Sequence, residues 1–464
     1  MNSPEKIKQV WLVGIGGIGM SALARYFHRR GMPVAGYDRT PSLVTDALKS
    51  EGIEVFFDGD PELIAPIYRT KEDTLVIYTP AVEASQRQLT WFRERHFEVL
   101  KRAQVLGLIS SDSQSLCIAG THGKTTISTM VAHLFRQSSI GCTAFLGGIS
   151  KNYSTNFLWD EASPFVVLEA DEFDRSFLWL NPQSALISST DADHLDIYGD
   201  KHKVEAAFSD FAHRVLSGGF LLLKEGVKIC EGGRAGVNVF TYSLQSPQSD
   251  FYATGIKLHQ GVYSFDLRTP HGLIKDLTLG IPGLLNIENA VGAMALALLN
   301  GVKTDEIRAA LPAFEGIARR FDIHVHTPNL VYIDDYAHHP QEISATLNSV
   351  RAMYPDFKVT GIFQPHLYSR TRDFSEDFSS SLSKLDELIL MDIYPAREYP
   401  IPGVDAQLIG EQIKNIPVSY ASRENMIQQL EKPASQQVFI TMGAGDIDRL
   451  VPLLTKHFDT LVNK

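Results

Sequence analysis

The sequence predicts an α/β protein of three domains, each built on an open, mostly parallel sheet. Two observations carry this. Short apolar runs with strand character end again and again in a glycine-rich or polar turn that leads into helical periodicity. The 464 residues also leave room for about three domains of about 150 residues. The expected divisions are residues 1–110, 111–322 and 323–464.

The most informative turn is Gly120-Thr121-His122-Gly123-Lys124-Thr125-Thr126. An apolar run over residues 116–119 precedes it. Ile127, Met130, Val131, Leu134 and Phe135 follow at i, i+3, i+4, i+7 and i+8, the spacing of one helix face. Strand, glycine turn, Lys-Thr and helix form the context of a phosphate loop. Backbone N–H groups and the helix start attract phosphate oxygens. Lys124 can reach the outer phosphates, and the Thr125 hydroxyl can ligate Mg²⁺. The loop is shorter than the usual one, since Ile118 stands where the first glycine normally falls. The expectation is a P-loop ATPase central domain using ATP and Mg²⁺.

The first third opens on a strand over residues 10–13, then Gly14-Ile15-Gly16-Gly17-Ile18-Gly19 and a helix carrying Met20, Leu23, Ala24 and Phe27 on one face. A second strand ends at Asp38, 19 residues after Gly19. This is a Rossmann-like fingerprint for a diphosphate, with Asp38 placed for a ribose. A dinucleotide and a UDP-sugar satisfy it equally. Thr79 ends the strand over residues 74–78, at a ligand-facing turn. Lys101 and Arg102 form a small basic pair able to meet a phosphate. The small polar run over residues 110–115 reads as a linker.

In the middle third, a strand over residues 165–168 runs into Glu169-Ala170-Asp171-Glu172. Clustered carboxylates there call for a cation, and Mg²⁺ is the one a nucleotide brings. Asp193-His194-Leu195-Asp196 follows the next strand. His194 fits a second metal or the γ-phosphate, or else a capped loop. Asn286 and Asn289 fit an adenine edge or helix N-caps. Residues 223–278 read as hairpins. Arg319 and Arg320 close this domain, with arginine well shaped for phosphate. The last third carries four more strands that end in polar clusters, the first followed by Asp334-Asp335-Tyr336-Ala337-His338-His339-Pro340 and the second by Gln364-Pro365-His366-Leu367-Tyr368-Ser369-Arg370. It reads as a second Rossmann-like domain.

Hydrophobic residues at 44% and charged residues at 21% fit a globular chain with large cores. A net charge of −11 argues against nucleic acid or an anionic membrane as partner. Cys117, Cys142 and Cys230 share no metal or disulfide spacing. The N-terminus carries no signal-peptide pattern, and no apolar run approaches about 20 residues, so a cytoplasmic monomer or homodimer is expected.

Taken together, these motifs resemble the Mur ligases of bacterial cell-wall synthesis, over essentially the whole chain. The 14–19 run and the 334–340 segment are similar to its alanine-adding branch. That resemblance implies an ATP-dependent ligase joining L-alanine to the lactyl carboxylate of UDP-N-acetylmuramate through an acyl phosphate; a sibling that adds a tripeptide in recycling, or another Mur ligase, is the alternative. It implies that Gly14, Gly16, Gly17, Gly19, Asp38, Thr79, Arg102 and His122 serve the UDP-sugar. It implies ATP at residues 120–126, with Asn286, Asn289, Arg320 and Asp334. It implies Mg²⁺ on Thr125, Glu169 and His194, with Lys124, Glu169 and His194 catalytic, and L-alanine near His338 and Arg370. Leu285 and Leu367 depart from it, standing where family members often carry His and Arg.

Overall fold

The computed structural model describes residues 7–191, 198, 200–229, 235–259, 262–396, 398–430 and 436–462. It divides into two compact units, Met1–Gly316 and Ile317–Lys464. The paired arginines read as the end of the central domain therefore lie in the second unit.

The first unit holds two sheets. The smaller is all parallel, in the order Glu54–Phe56, Val34–Tyr37, Gln9–Val13, Thr74–Tyr78, Glu98–Lys101. Gln9–Val13 is buried along its whole length, as its apolar run predicts. Strand order reverses beside it, so the crevice at its carboxyl end is where a doubly wound sheet takes a ligand. The 14–19 turn lies in that crevice.

The larger sheet has ten strands. Its parallel centre runs Phe220–Lys224, Ser184–Ile187, Gln114–Ala119, Phe165–Glu169, Thr143–Ser150. Thr155–Leu158 pairs antiparallel at one edge, making a hairpin with Thr143–Ser150. Phe251–His259, Val262–Thr269 and Gly272–Leu279 form an antiparallel meander at the other, as hairpins should, but Asn238–Ser243, in the same stretch expected to be hairpins, pairs parallel with Phe220–Lys224 and Phe251–His259. Gln114–Ala119 sits where order reverses, and the phosphate loop follows it.

The expected linker over residues 110–115 does not form. The helix Arg102–Ser111 runs almost directly into the strand Gln114–Ala119. Ser110 and Ser115 are fully buried. Ser110 Oγ accepts the Asn181 N–H at 3.0 Å, and Ser115 Oγ donates to the Asn181 carbonyl at 3.0 Å. Small polar residues read as a linker only when water, and not Asn181, satisfies them.

The second unit has six strands, in the order Asp322–His326, Leu330–Asp335, Gln437–Met442, Lys358–Phe363, Glu387–Leu390, Val418–Tyr420. Only Asp322–His326 is antiparallel. Among the described residues, no helix is long and apolar enough to cross a membrane.

Candidate functional site

The phosphate loop is shaped by two glycines and braced from the neighbouring strand. Gly120 (φ +135°) and Gly123 (φ +81°) hold backbone angles that side chains disfavour. A Cβ on Gly120 would lie 2.1 Å from Ser188 Oγ. Ser188 Oγ donates to the His122 carbonyl. The His122 N–H donates to Ser189 Oγ at 2.9 Å, and Thr121 Oγ1 lies 2.8 Å from the same oxygen. Ser188 and Ser189 escaped the sequence reading, although their position straight after a buried strand was the available signal.

Lys124 opens the helix Lys124–Arg136. Its Nζ donates to the Gly120 carbonyl at 2.7 Å and to Glu172 Oε1 at 2.8 Å. Burial works against the ammonium, but the carboxylates of Glu172, Asp171 and Glu169 outweigh it and hold its pKa above the ordinary lysine value. Lys124 therefore stays charged while it waits.

Glu169 ends its strand against Gly147 of the hairpin. A Cβ on Gly147 would come within 2.2 Å of the Glu169 carboxylate. Ser128 Oγ lies 3.2 Å from the Thr125 carbonyl and 3.5 Å from Glu169 Oε2, which sets the carboxylate beside the turn that bears Thr125. Hydroxyl and carboxylate oxygens are the donor set that Mg²⁺ takes, alongside water and substrate phosphates. Among the described residues, no group of three or more His, Cys, Asp or Glu side chains could hold a metal by themselves. His194, with Asp193 and Asp196, lies outside the described residues, as does Cys230.

The first-domain loop is packed as closely. Cβ atoms built on Gly14, Gly16 and Gly19 would lie 2.6 Å from Thr79, 2.9 Å from Asp38 and 2.1 Å from Arg102. Gly17 meets nothing nearer than 3.5 Å. Asp38 Oδ2 accepts the Gly16 N–H at 2.7 Å, so it shapes the loop itself. Arg102 faces Asp171 at 3.5 Å, and Lys101 pairs with Asp174 at 2.8 Å. One short segment, residues 171–174, thus contacts cations of both glycine loops.

Asn286 and Asn289 lie in the first turns of the helix Leu284–Leu299, whose N-cap is Gly283, which removes the capping alternative. Asn289 Oδ1 would be 3.0 Å from a Cβ on Gly123, which brings it to the phosphate loop. His122 is largely exposed, 3.6 Å from Asp191.

In the second unit, Asp334 is fully enclosed. Its carboxylate accepts from Arg319 Nε at 3.1 Å and from Thr441 Oγ1 at 2.6 Å. The nucleotide contact expected of Asp334 has no open oxygen here, because a buried carboxylate needs its own partners. Burial lowers the His338 pKa; the Glu342 carboxylate works against that, and the positive charge of Arg370 adds to it. His338 Nδ1 donates to the Tyr336 carbonyl at 2.9 Å, which leaves Nε2 as an acceptor. His366, unassigned from the sequence, lies 6.0 Å from the His338 ring and stacks on Tyr394. Leu367 holds φ +74° at the start of the helix Tyr368–Asp373.

A parallel sheet carrying a phosphate loop, preceded by a second diphosphate-type crevice and followed by a third α/β unit, defines a nucleotide-dependent enzyme of the ligase kind. Three family models match in sequence order: "Mur ligase family, catalytic domain" over residues 9–114, "Mur ligase middle domain" over 118–297, and "Mur ligase, glutamate ligase domain" over 319–445. The chain belongs to the Mur ligase family. It is 49% identical to the UDP-N-acetylmuramate–L-alanine ligase of Phocaeicola vulgatus, covering 96% of this chain and 97% of that one. The crystal structure of UDP-N-acetylmuramate-alanine ligase MurC from Thermotoga maritima superposes with a TM-score of 0.82 at 25% identity, over 97% of this chain and 99% of that one. A murein peptide ligase from Psychrobacter arcticus shares the fold, with a TM-score of 0.71 at 20% identity over 97% and 99%.

Two outcomes are expected. Gly147→Ala should push the Glu169 carboxylate off its seat; if that carboxylate helps to hold Mg²⁺, the Mg²⁺ concentration for half-maximal activity rises severalfold while thermal stability changes little, as titration of activity against Mg²⁺ measures. Arg319→Ala leaves Asp334 buried without its cation and costs about 3–5 kcal/mol, seen as a clear drop in the melting temperature.

Proposed function

We infer that this chain is an ATP-dependent ligase joining the amine of L-alanine to the lactyl carboxylate of UDP-N-acetylmuramate. The observation that carries this is the pair of glycine cradles, residues 14–19 and 120–124, in one compact unit, their cations Arg102 and Lys124 both held by residues 171–172. The identity to a full-length relative of that name supports the substrates.

A carboxylate resists an amine because resonance and charge repel the nucleophile. Transfer of the γ-phosphoryl group of ATP to a lactyl oxygen removes both obstacles and releases ADP. The alanine nitrogen then bonds to the acyl carbon. The C–O bond breaks, its electron pair leaves with phosphate, and the amine gives up a proton. Lys124 would neutralise charge on the transferring phosphoryl. Thr125 and Glu169, with His194, would hold Mg²⁺, which supplies charge neutralisation for the phosphates when bound. Gly14, Gly16, Gly19, Thr79 and Arg102 would cradle the UDP diphosphate, with Asp38 fixing the loop. Asn286 and Asn289 would take the adenine. His338 and Arg370 would receive the amino acid, Nε2 of His338 accepting from its ammonium. A cytoplasmic location accords with these substrates.

ADP release should require UDP-N-acetylmuramate and L-alanine together. A preference for tripeptide over L-alanine would make the chain a recycling sibling instead. Lys124→Ala should lower turnover by about 10³-fold or more; near-normal turnover would remove Lys124 from the chemistry. Gly19→Ala, whose Cβ would collide with Arg102, should raise KM for the UDP-sugar at least tenfold and leave ATP binding alone.

A further inference from the structure

The hairpin of Thr143–Ser150 and Thr155–Leu158 reaches both cradles. At one point Gly147 backs the Glu169 carboxylate. At another, Asn156, fully buried on the second strand, spends all its polar contacts on the first domain. Its Oδ1 accepts from Arg25 Nη1 at 2.6 Å. Its Nδ2 donates to the Ile18 carbonyl and to Ser21 Oγ, the latter at 3.1 Å. Ser21 Oγ in turn donates to the same Ile18 carbonyl at 2.9 Å.

These partners are not arbitrary. Ile18 is the first residue of the helix Ile18–Arg29 and belongs to the glycine loop itself. The unpaired N–H groups that a diphosphate would meet are in that same turn. Arg25 is buried and bound to Glu51 through Nε and Nη2 at 2.7–3.0 Å, leaving Nη1 for Asn156. An amide alone fits the spot, because the site needs an acceptor towards a guanidinium and a donor towards a carbonyl. Aspartate would oppose the Ile18 carbonyl, and alanine would leave Arg25 Nη1 without its acceptor and the Ile18 carbonyl with Ser21 as its remaining side-chain donor. Tyr26 of the same helix packs on Phe145, Phe157 and Trp159 around the hairpin, so aromatic packing accompanies the three Asn156 hydrogen bonds at the joint.

We propose that Asn156 is a positioning residue for the UDP-sugar, fixing the first-domain glycine loop against the hairpin that seats Glu169. It touches neither substrate; it acts through Ile18, Ser21 and Arg25. The inference rests on the reading that residues 14–19 hold the UDP diphosphate.

The test is a split between two substrates. In Asn156→Ala, KM for UDP-N-acetylmuramate should rise about tenfold, while the Kd for MgATP measured without sugar stays within about twofold. Equal weakening of both ligands, or no change in the sugar KM, would overturn the proposal. Should that variant fail to fold, Ser21→Ala removes one partner only and should raise the sugar KM about threefold; an unchanged KM there overturns the proposal too. Gly19→Ala, run alongside, separates this inference from the reading beneath it. If Gly19→Ala leaves the sugar KM unchanged, the loop does not hold the diphosphate. If Gly19→Ala raises it and Asn156→Ala does not, only the role of Asn156 falls.

Discussion

A buried ammonium cannot wait for its phosphate without a counter-ion, and Glu172 supplies one to Lys124 at 2.8 Å. The rest of the first unit is arranged around that need. Glu172 sits on a segment whose neighbours answer other cations: Asp171 faces Arg102 at the first glycine loop, and Asp174 pairs with Lys101. Tyr198, itself buried, donates its hydroxyl to the Glu172 carbonyl at 2.6 Å and pins the segment. Asp174 and Arg175 both hold φ +53°, a cost that neither side chain would bear without such contacts. Phosphate oxygens entering either cradle would replace a carboxylate as partner of the local cation. Until then the carboxylates of Glu172 and Asp171 hold Lys124 and Arg102 in place.

Much of this was legible in the chain. Glycine runs after buried strands announce close backbone approach, and Gly14, Gly16, Gly19, Gly120 and Gly123 are where the neighbours crowd in. Thr79, picked out at a strand end, and Arg102, picked out as half of a basic pair, both lie against glycines of the first loop. What the sequence hid depends on distance through space. Asn156 lies more than 130 positions from Ser21 and Arg25, in a stretch without a motif. Ser188 and Ser189 look like turn residues until the phosphate loop folds against them. The nucleotide contact of Asp334 is implied by the family resemblance alone. Only the fold brings Arg319 and Thr441 to its oxygens.

The second unit differs in character. The His338 ring meets His366 edge-on at 6.0 Å, and His366 in turn stacks on Tyr394. Leu367 occupies a backbone conformation that suits glycine better than leucine, with its N–H bound to the Tyr394 carbonyl at 2.9 Å.

The central claim is that a lactyl oxygen leaves with the phosphate. The most direct measurement uses UDP-N-acetylmuramate carrying ¹⁸O in its lactyl carboxylate, incubated with the enzyme, MgATP and L-alanine. Phosphate recovered after one turnover should contain a single ¹⁸O atom. Phosphate free of label, with amide formed all the same, would mean that the carboxylate is activated by some other route.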